Sequence, residues 1–203
     1  MKPRQPAKAV PVSAAVATTG VGELDDEELM AGIAQGDKRA FSEFVTRHLA
    51  SIMAFAARHL PCRSDAEDVA QEAFTRLWQK APQWQSRGIA PKSWVYRTTY
   101  NLCIDNLRKQ NPDAAIDDQQ GLVSLENAED RLLQDKQKMA IDQALASLPE
   151  RQRTAIVLCN YHGLSNRDAG AIMDISVEAL ESLLSRARRS LRTLLMQHRE
   201  TAS

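Results

Sequence analysis

At 203 residues the chain suits one ordinary domain or two small ones, and 43% hydrophobic with only 5% aromatic residues favours long amphipathic helices over sheet. Lysine plus arginine equals aspartate plus glutamate at 26 each, so net charge gives no sign of a nucleic-acid partner, and no apolar run approaches the roughly 18 residues a membrane span needs. The distribution of charge says more: seven acids between positions 113 and 135 face Arg131 alone, whereas positions 183–199 hold five arginines and no acid. Cys62, Cys103 and Cys159 are far apart, lack metal-ligand spacing and sit among apolar neighbours, as packing thiols in a reducing cytoplasm do.

Residues 1–22 read as a disordered tail. Lys2, Arg4 and Lys8 imitate the start of a signal peptide, but Pro11 and Ser13 interrupt the next stretch and no Leu, Ile or Phe supplies an apolar centre. A first helical block spans 24–110. A short helix over 26–34 starts on acids, which suits the helix dipole. Asp37 then caps a long helix with Phe41, Phe44, Val45, Leu49, Ile52 and Met53 at helical spacing, and Pro61 ends it.

Ser64 and Glu67 have the spacing of a capping box for the next helix. Ala66, Val69, Ala70, Ala73, Phe74 and Leu77 form its apolar stripe, leaving Asp65, Asp68, Gln71 and Glu72 on the other side. On charge alone, that acidic face reads as a solvated surface sooner than as a partner's docking site. A loop over 83–92 leads into a helix over 93–109. There Val95, Thr98, Thr99, Leu102 and Cys103 suit a core, while Arg97, Asn101, Asp105 and Arg108 line a polar face able to meet bases and phosphates or to pair internally.

Residues 111–124 contain Pro112, Gly121 and mostly polar or acidic side chains, and read as a flexible acidic linker. A second helical block spans 125–198. One helix stops near Leu148-Pro149-Glu150, and another covers 151–161 with Ala155, Ile156, Leu158 and Cys159 inward. Ser165 then caps a short helix, Asp168 closes its box, and residues 174–176 turn the chain. Ser176 caps a last helix with Leu180, Leu183, Leu184, Ala187, Leu191 and Leu194 on one side and Glu181, Ser182, Ser185 and Arg189 on the other, Arg186, Arg188 and Arg192 nearby. This is the pattern of a helix-turn-helix, whose second helix can enter the major groove, although a plain helical hairpin shares it.

Taken together, the stretches DAEDVAQEAFTRLWQ (65–79), SWVYRTTYNLCIDNLRK (93–109), LPERQRTAIVL (148–158) and LSNRDAGAIMDISVEALESLLSRARRSLR (164–192) resemble the extracytoplasmic-function (ECF) sigma factors of the bacterial sigma-70 family, in the family's order and spacing. The resemblance implies an all-α protein with two small helical domains, sigma region 2 and sigma region 4, joined by the linker. It implies a factor that carries core RNA polymerase to promoter DNA in the cytoplasm, has no catalytic site, cofactor or metal, and is held by an anti-sigma factor. On that resemblance Asp65, Asp68, Gln71 and Glu72 dock on the polymerase. Trp84, Ser86, Arg97, Asn101 and Arg108 meet the −10 element, with Trp84, Gln85 and Ser86 as alternative linings of a pocket for an unstacked base. Glu181, Ser182, Ser185, Arg186, Arg188 and Arg189 meet the −35 element. The chain departs from the family at Glu181 and Leu183, where lysine or arginine is common. A helix-turn-helix regulator acting without polymerase would account for 164–192 but not for 65–109. A helical enzyme has little support: there is no P-loop, HExxH or metal cluster, and the four histidines are scattered.

Overall fold

The computed structural model describes residues 21–85, 89–110 and 134–201; the tail over 1–20, Ser86 and the linker over 111–124 lie outside the described residues. Among those residues the secondary structure is helical throughout. The first domain comprises α1 (Asp26–Ala34), α2 (Lys38–Ala57), α3 (Arg63–Lys80) and α4 (Pro91–Gln110). The second comprises α5 (Gln134–Ala146), α6 (Glu150–Ile156), a π-helical turn (Val157–Tyr161), α7 (Asn166–Met173) and α8 (Val177–Thr201).

Asp25 accepts from the Glu28 backbone N–H while Glu28 accepts from that of Asp25, a reciprocal cap that fixes the start of α1. Arg47 holds this end against α2 by donating to the carbonyls of Gly22 and Leu24 and to the carboxylates of Asp26 and Glu43. Asp37 caps α2 as expected, but the helix stops at Ala57, short of Pro61, because the N–H groups of His59 and Leu60 both close onto the Ala56 carbonyl. The expected box on Ser64 does not form. The chain leaves Pro61 extended through Cys62, α3 therefore begins at Arg63, and Ser64 already lies inside its first turn; Glu67 pairs with Arg63 instead, at 2.9 Å.

The apolar stripe of α3 is buried along its whole length. In α4 the inward face is turned from expectation: Tyr96, Tyr100 and Ile104 are buried with Val95, Thr99 and Cys103, whereas Thr98 and Leu102 are only half-buried. The tyrosine rings carry more surface to hide than a threonine does, and Tyr96 meets Phe55 edge-on at 5.4 Å. Of the cysteines, Cys103 is buried and Cys159 half-buried, but Cys62 is exposed, contrary to a packing role for all three.

In the second domain the Ser165 side chain accepts from the Asp168 N–H and its hydroxyl donates to the Asp168 carboxylate at 2.6 Å, so Asp168 holds the capping side chain rather than the cap backbone. Asp174 ends α7 in the left-handed region at φ 56°, and Ile175 donates to the Gly170 carbonyl. A Cβ on Gly170 would stand 3.0 Å from the Ile175 carbonyl oxygen, so this turn requires glycine where it meets α7. Asp174→Gly should raise stability by about 1 kcal/mol by removing the left-handed penalty; an unchanged or lower urea midpoint would show that the aspartate relaxes the turn in some other way.

One hydrophobic core runs through both domains. His59 Nε2 lies 2.8 Å from Thr154 Oγ1, the His162 ring packs against Phe55 and Tyr96, and Arg58 stacks over the Tyr161 ring at 4.6 Å. The domains thus pack directly on each other.

Candidate nucleic-acid interface

On α3, burial of the alanine-rich stripe leaves Asp68, Gln71 and Glu72 exposed in one row. Asp65, at the end of that row, is half-buried and accepts from Gln110 Nε2 at 3.2 Å. Glu72 is held by Arg76 at 2.7 Å across one helical turn, whereas Asp68 forms no ion pair among the described residues. The face is acidic and pre-ordered, and solvent covers it.

Past α3 the short 3-10 turn Ala81–Gln83 delivers Trp84 against Trp94, edge to face at 6.2 Å. With Lys80, Gln83, Gln85 and Ile89 these rings line an open pocket of about 420 Å³. Trp84 Nε1 is buried without a hydrogen-bond acceptor among the described residues. Asn101 and Arg108 are exposed on α4 and Arg97 is half-buried, all on the expected polar face. The acid nearest Arg97 is Asp174 of the helix-turn-helix, at 3.8 Å, and not a neighbour on its own helix.

The last helix presents Glu181, Ser182, Ser185, Arg186, Arg188 and Arg189 to solvent, while Leu180, Leu184 and Ala187 are buried beneath them. Ser176 accepts from the Ala179 N–H at its start, and the Glu178 carboxyl is held below the usual range by its own backbone N–H and by the Ser176 hydroxyl. Leu183 is half-buried and lines a groove of about 450 Å³ with Ile175 and Gln152, which explains an apolar residue there: it packs, and the charge stands at Arg186 on the groove's rim.

One contributor escaped the sequence reading. Asn166 Nδ2 donates to Glu181 Oε1 at 3.3 Å, and Cys159 Sγ lies 3.8 Å from Asn166 Oδ1. Its position directly after the Ser165 cap, where a side chain is free to reach sideways, was the available signal; the partner fifteen residues away was not.

The sequence matches the family model for Sigma-70 region 2 over residues 44–112 and that for Sigma-70, region 4 over residues 138–191. The ECF RNA polymerase sigma factor SigM of Mycobacterium tuberculosis is 31% identical over 183 residues, covering 89% of this chain and 90% of SigM. Among solved structures, CnrH in complex with the cytosolic domain of CnrY superposes with a TM-score of 0.63 at 25% identity, covering 85% of this chain and 97% of CnrH. The sigma factor RpoE of Bartonella quintana, in complex with the anti-sigma factor NepR, gives 0.61 at 26% identity, covering 77% of this chain and 96% of RpoE. Region 2 and region 4 on one helical chain define a promoter-recognition subunit of the sigma-70 class. Within that class the chain belongs to the ECF RNA polymerase sigma factors. It directs polymerase to promoters and is not a regulator acting without it. None of its described helices is long and apolar enough to cross a membrane.

Proposed function

We propose that this sigma factor docks on core RNA polymerase through Asp65, Asp68, Gln71 and Glu72. It reads the −10 element with Trp84, Ser86, Arg97, Asn101 and Arg108, and the −35 element with α8. The protein works in the cytoplasm, contributes no catalytic group and uses no cofactor. An anti-sigma partner is expected, since RpoE is described in complex with one and CnrH in complex with CnrY.

The observation that carries the reading is α8, whose polar side is open from Glu178 to Arg189 while Leu180, Leu184 and Ala187 fix its apolar side in the core. Placed in the major groove, Glu181, Ser182 and Ser185 meet base edges and Arg186, Arg188 and Arg189 meet phosphates. The Glu181 carboxylate accepts from cytosine N4, so Glu181→Arg turns an acceptor into a donor suited to guanine and should change the preferred upstream sequence by about 1–3 kcal/mol of discrimination. Arg188→Ala or Arg189→Ala should instead weaken all promoters alike and flatten the salt dependence by about 0.9 per lost phosphate contact. Core polymerase programmed with each variant on a promoter library, with sequencing of the transcripts, reads both effects. An unchanged upstream preference for Glu181→Arg would remove Glu181 from the base readers.

A further inference from the structure

A carboxylate entering a groove walled by phosphates is pushed aside unless something holds it. On the −35 role proposed above for Glu181, on which this rests, we infer that Asn166, oriented by the Cys159 thiol, is a positioning residue. It sets the base preference of this sigma factor by fixing the Glu181 carboxylate towards the bases.

Three elements meet at this point. Cys159 comes from the π-helical turn Val157–Tyr161, Asn166 is the first residue of α7, and Glu181 lies in the second turn of α8. Ser165 already caps α7 by accepting from the Asp168 N–H, so the Asn166 side chain is not needed at the helix terminus and reaches across to α8. Its Nδ2 donates to Glu181 Oε1 at 3.3 Å. Among the described residues Glu181 forms no ion pair, and its neighbour one turn earlier, Glu178, is another acid, itself held by the Ser176 hydroxyl. The amide of Asn166 is what steadies the glutamate.

An amide can present either end, and here the thiol chooses. Cys159 Sγ donates to Asn166 Oδ1 at 3.8 Å. Burial holds this thiol above its ordinary range, against the opposing charge of Arg188, so it keeps its proton at neutral pH and can donate. Turning the amide over would set Oδ1 against the Glu181 carboxylate and Nδ2 against the S–H, acceptor to acceptor and donor to donor. The relay from thiol to amide to carboxylate therefore runs in one direction. It also suits the glutamate that this chain carries: an arginine at 181 would meet the Nδ2 donor with a donor of its own.

With Oε1 taken by Asn166, Oε2 is the oxygen left for a base, and it stands in one place. A single fixed acceptor suits a single exocyclic amine. For the cytosine N4 assigned to Glu181, the competitor is adenine N6, which is set elsewhere in the major groove beside the N7 acceptor. A swinging carboxylate reaches both amines. Loss of Asn166 should therefore relax the preference from cytosine towards adenine at one upstream position, while the phosphate contacts of Arg186, Arg188 and Arg189 stay as they were.

Core polymerase carrying the full chain, transcribing a promoter library randomised over the −35 element, tests this with the wild type, Asn166→Ala, Glu181→Ala and the double variant. Asn166→Ala should lower the cytosine-over-adenine ratio at that position by about threefold to tenfold, the worth of one hydrogen bond, with the salt dependence unchanged. Adding Asn166→Ala to Glu181→Ala should change nothing further, since the amide acts only through the carboxylate. Cys159→Ala should move the ratio in the same direction, and Cys159→Ser, the conservative variant that keeps a donor, should rescue it. An unchanged ratio in Asn166→Ala, with Glu181→Ala altering it, overturns the positioning role alone. An equal loss in the Glu181→Ala background overturns it too, because the amide would then touch DNA itself, as does a loss spread evenly over all promoters. Cys159→Ala at the wild-type ratio removes the thiol from the relay. Should Asn166→Ala lose its helical circular dichroism, Asn166→Ser, which fills the position but falls short of Glu181, answers the same question. Glu181→Ala with every upstream preference unchanged would instead overturn the base-reading role of Glu181, and the positioning of it by Asn166 with that role.

Discussion

Replacing Arg153 with methionine is expected to lower stability by about 3–5 kcal/mol, the cost of leaving a buried carboxylate without its counter-charge. Arg153 and Glu150 are both fully buried. The guanidinium donates to the Ala146 carbonyl at 3.3 Å, while its Nε and Nη2 have no hydrogen-bond partner among the described residues. Burial alone pulls the Arg153 pKa down, and the charge of Glu150 is the largest influence holding it up. The pair also reaches into the first domain, where burial and then Glu150 push the Cys103 thiol upward. Adding Glu150→Gln to Arg153→Met should recover most of the loss, because two neutral side chains of similar volume replace a pair whose hydrogen bonds were never complete. Urea unfolding of the two single variants and the double variant measures the coupling. A single-variant loss below about 1 kcal/mol would mean that water, and not Arg153, compensates Glu150.

The second large effect is expected on α3. Asp68→Ala together with Glu72→Ala should weaken binding to core polymerase by about 10²–10⁴-fold, from two charge-assisted contacts of about 1.5–3 kcal/mol each. Both positions are exposed and alanine is the strongest helix former, so the helix itself should hold. Losing Glu72 also releases Arg76, paired with it at 2.7 Å, and leaves a bare cation at the end of the acidic row. Asp65→Ala should cost less, because Asp65 is half-buried and already engaged by Gln110. Fluorescence anisotropy of labelled protein titrated with core polymerase gives the affinities. Equal binding by wild type and the double variant, with helicity intact, would place the docking surface elsewhere.

The two expectations differ in how far the sequence anticipated them. The α3 row was legible because a 3.6-residue period determines which side chains turn inward, and a stripe of alanines with Val69, Phe74 and Leu77 leaves no ambiguity. The turn over 174–176 was legible as well, and aspartate at 174 is a residue type that tolerates the left-handed conformation it adopts there. Periodicity was less sure in α4, where polar-tipped tyrosines compete with threonines for the core and displace the expected face. Arg153 could not be read at all. An arginine within ERQR looks like surface, and it is buried only in the assembled fold, where Ala146, His59 and Cys103 come from elsewhere in the chain to surround it. The same holds for His59 and Thr154, ninety-five residues apart. Local pattern says that a side chain faces inward but not what it meets there.

The exposed Cys62 offers an experimental handle. Of the three thiols, those of Cys103 and Cys159 are both shifted upward by burial, so mild alkylation at neutral pH selects Cys62 without any engineered cysteine. A dye attached there stands at the N-terminal lip of α3, about one turn from Asp65 and about two from Asp68. Polymerase arriving on that helix changes the dye's surroundings directly, so the native chain reports its own docking as an optical signal, in real time and with no substitution in the surface being measured.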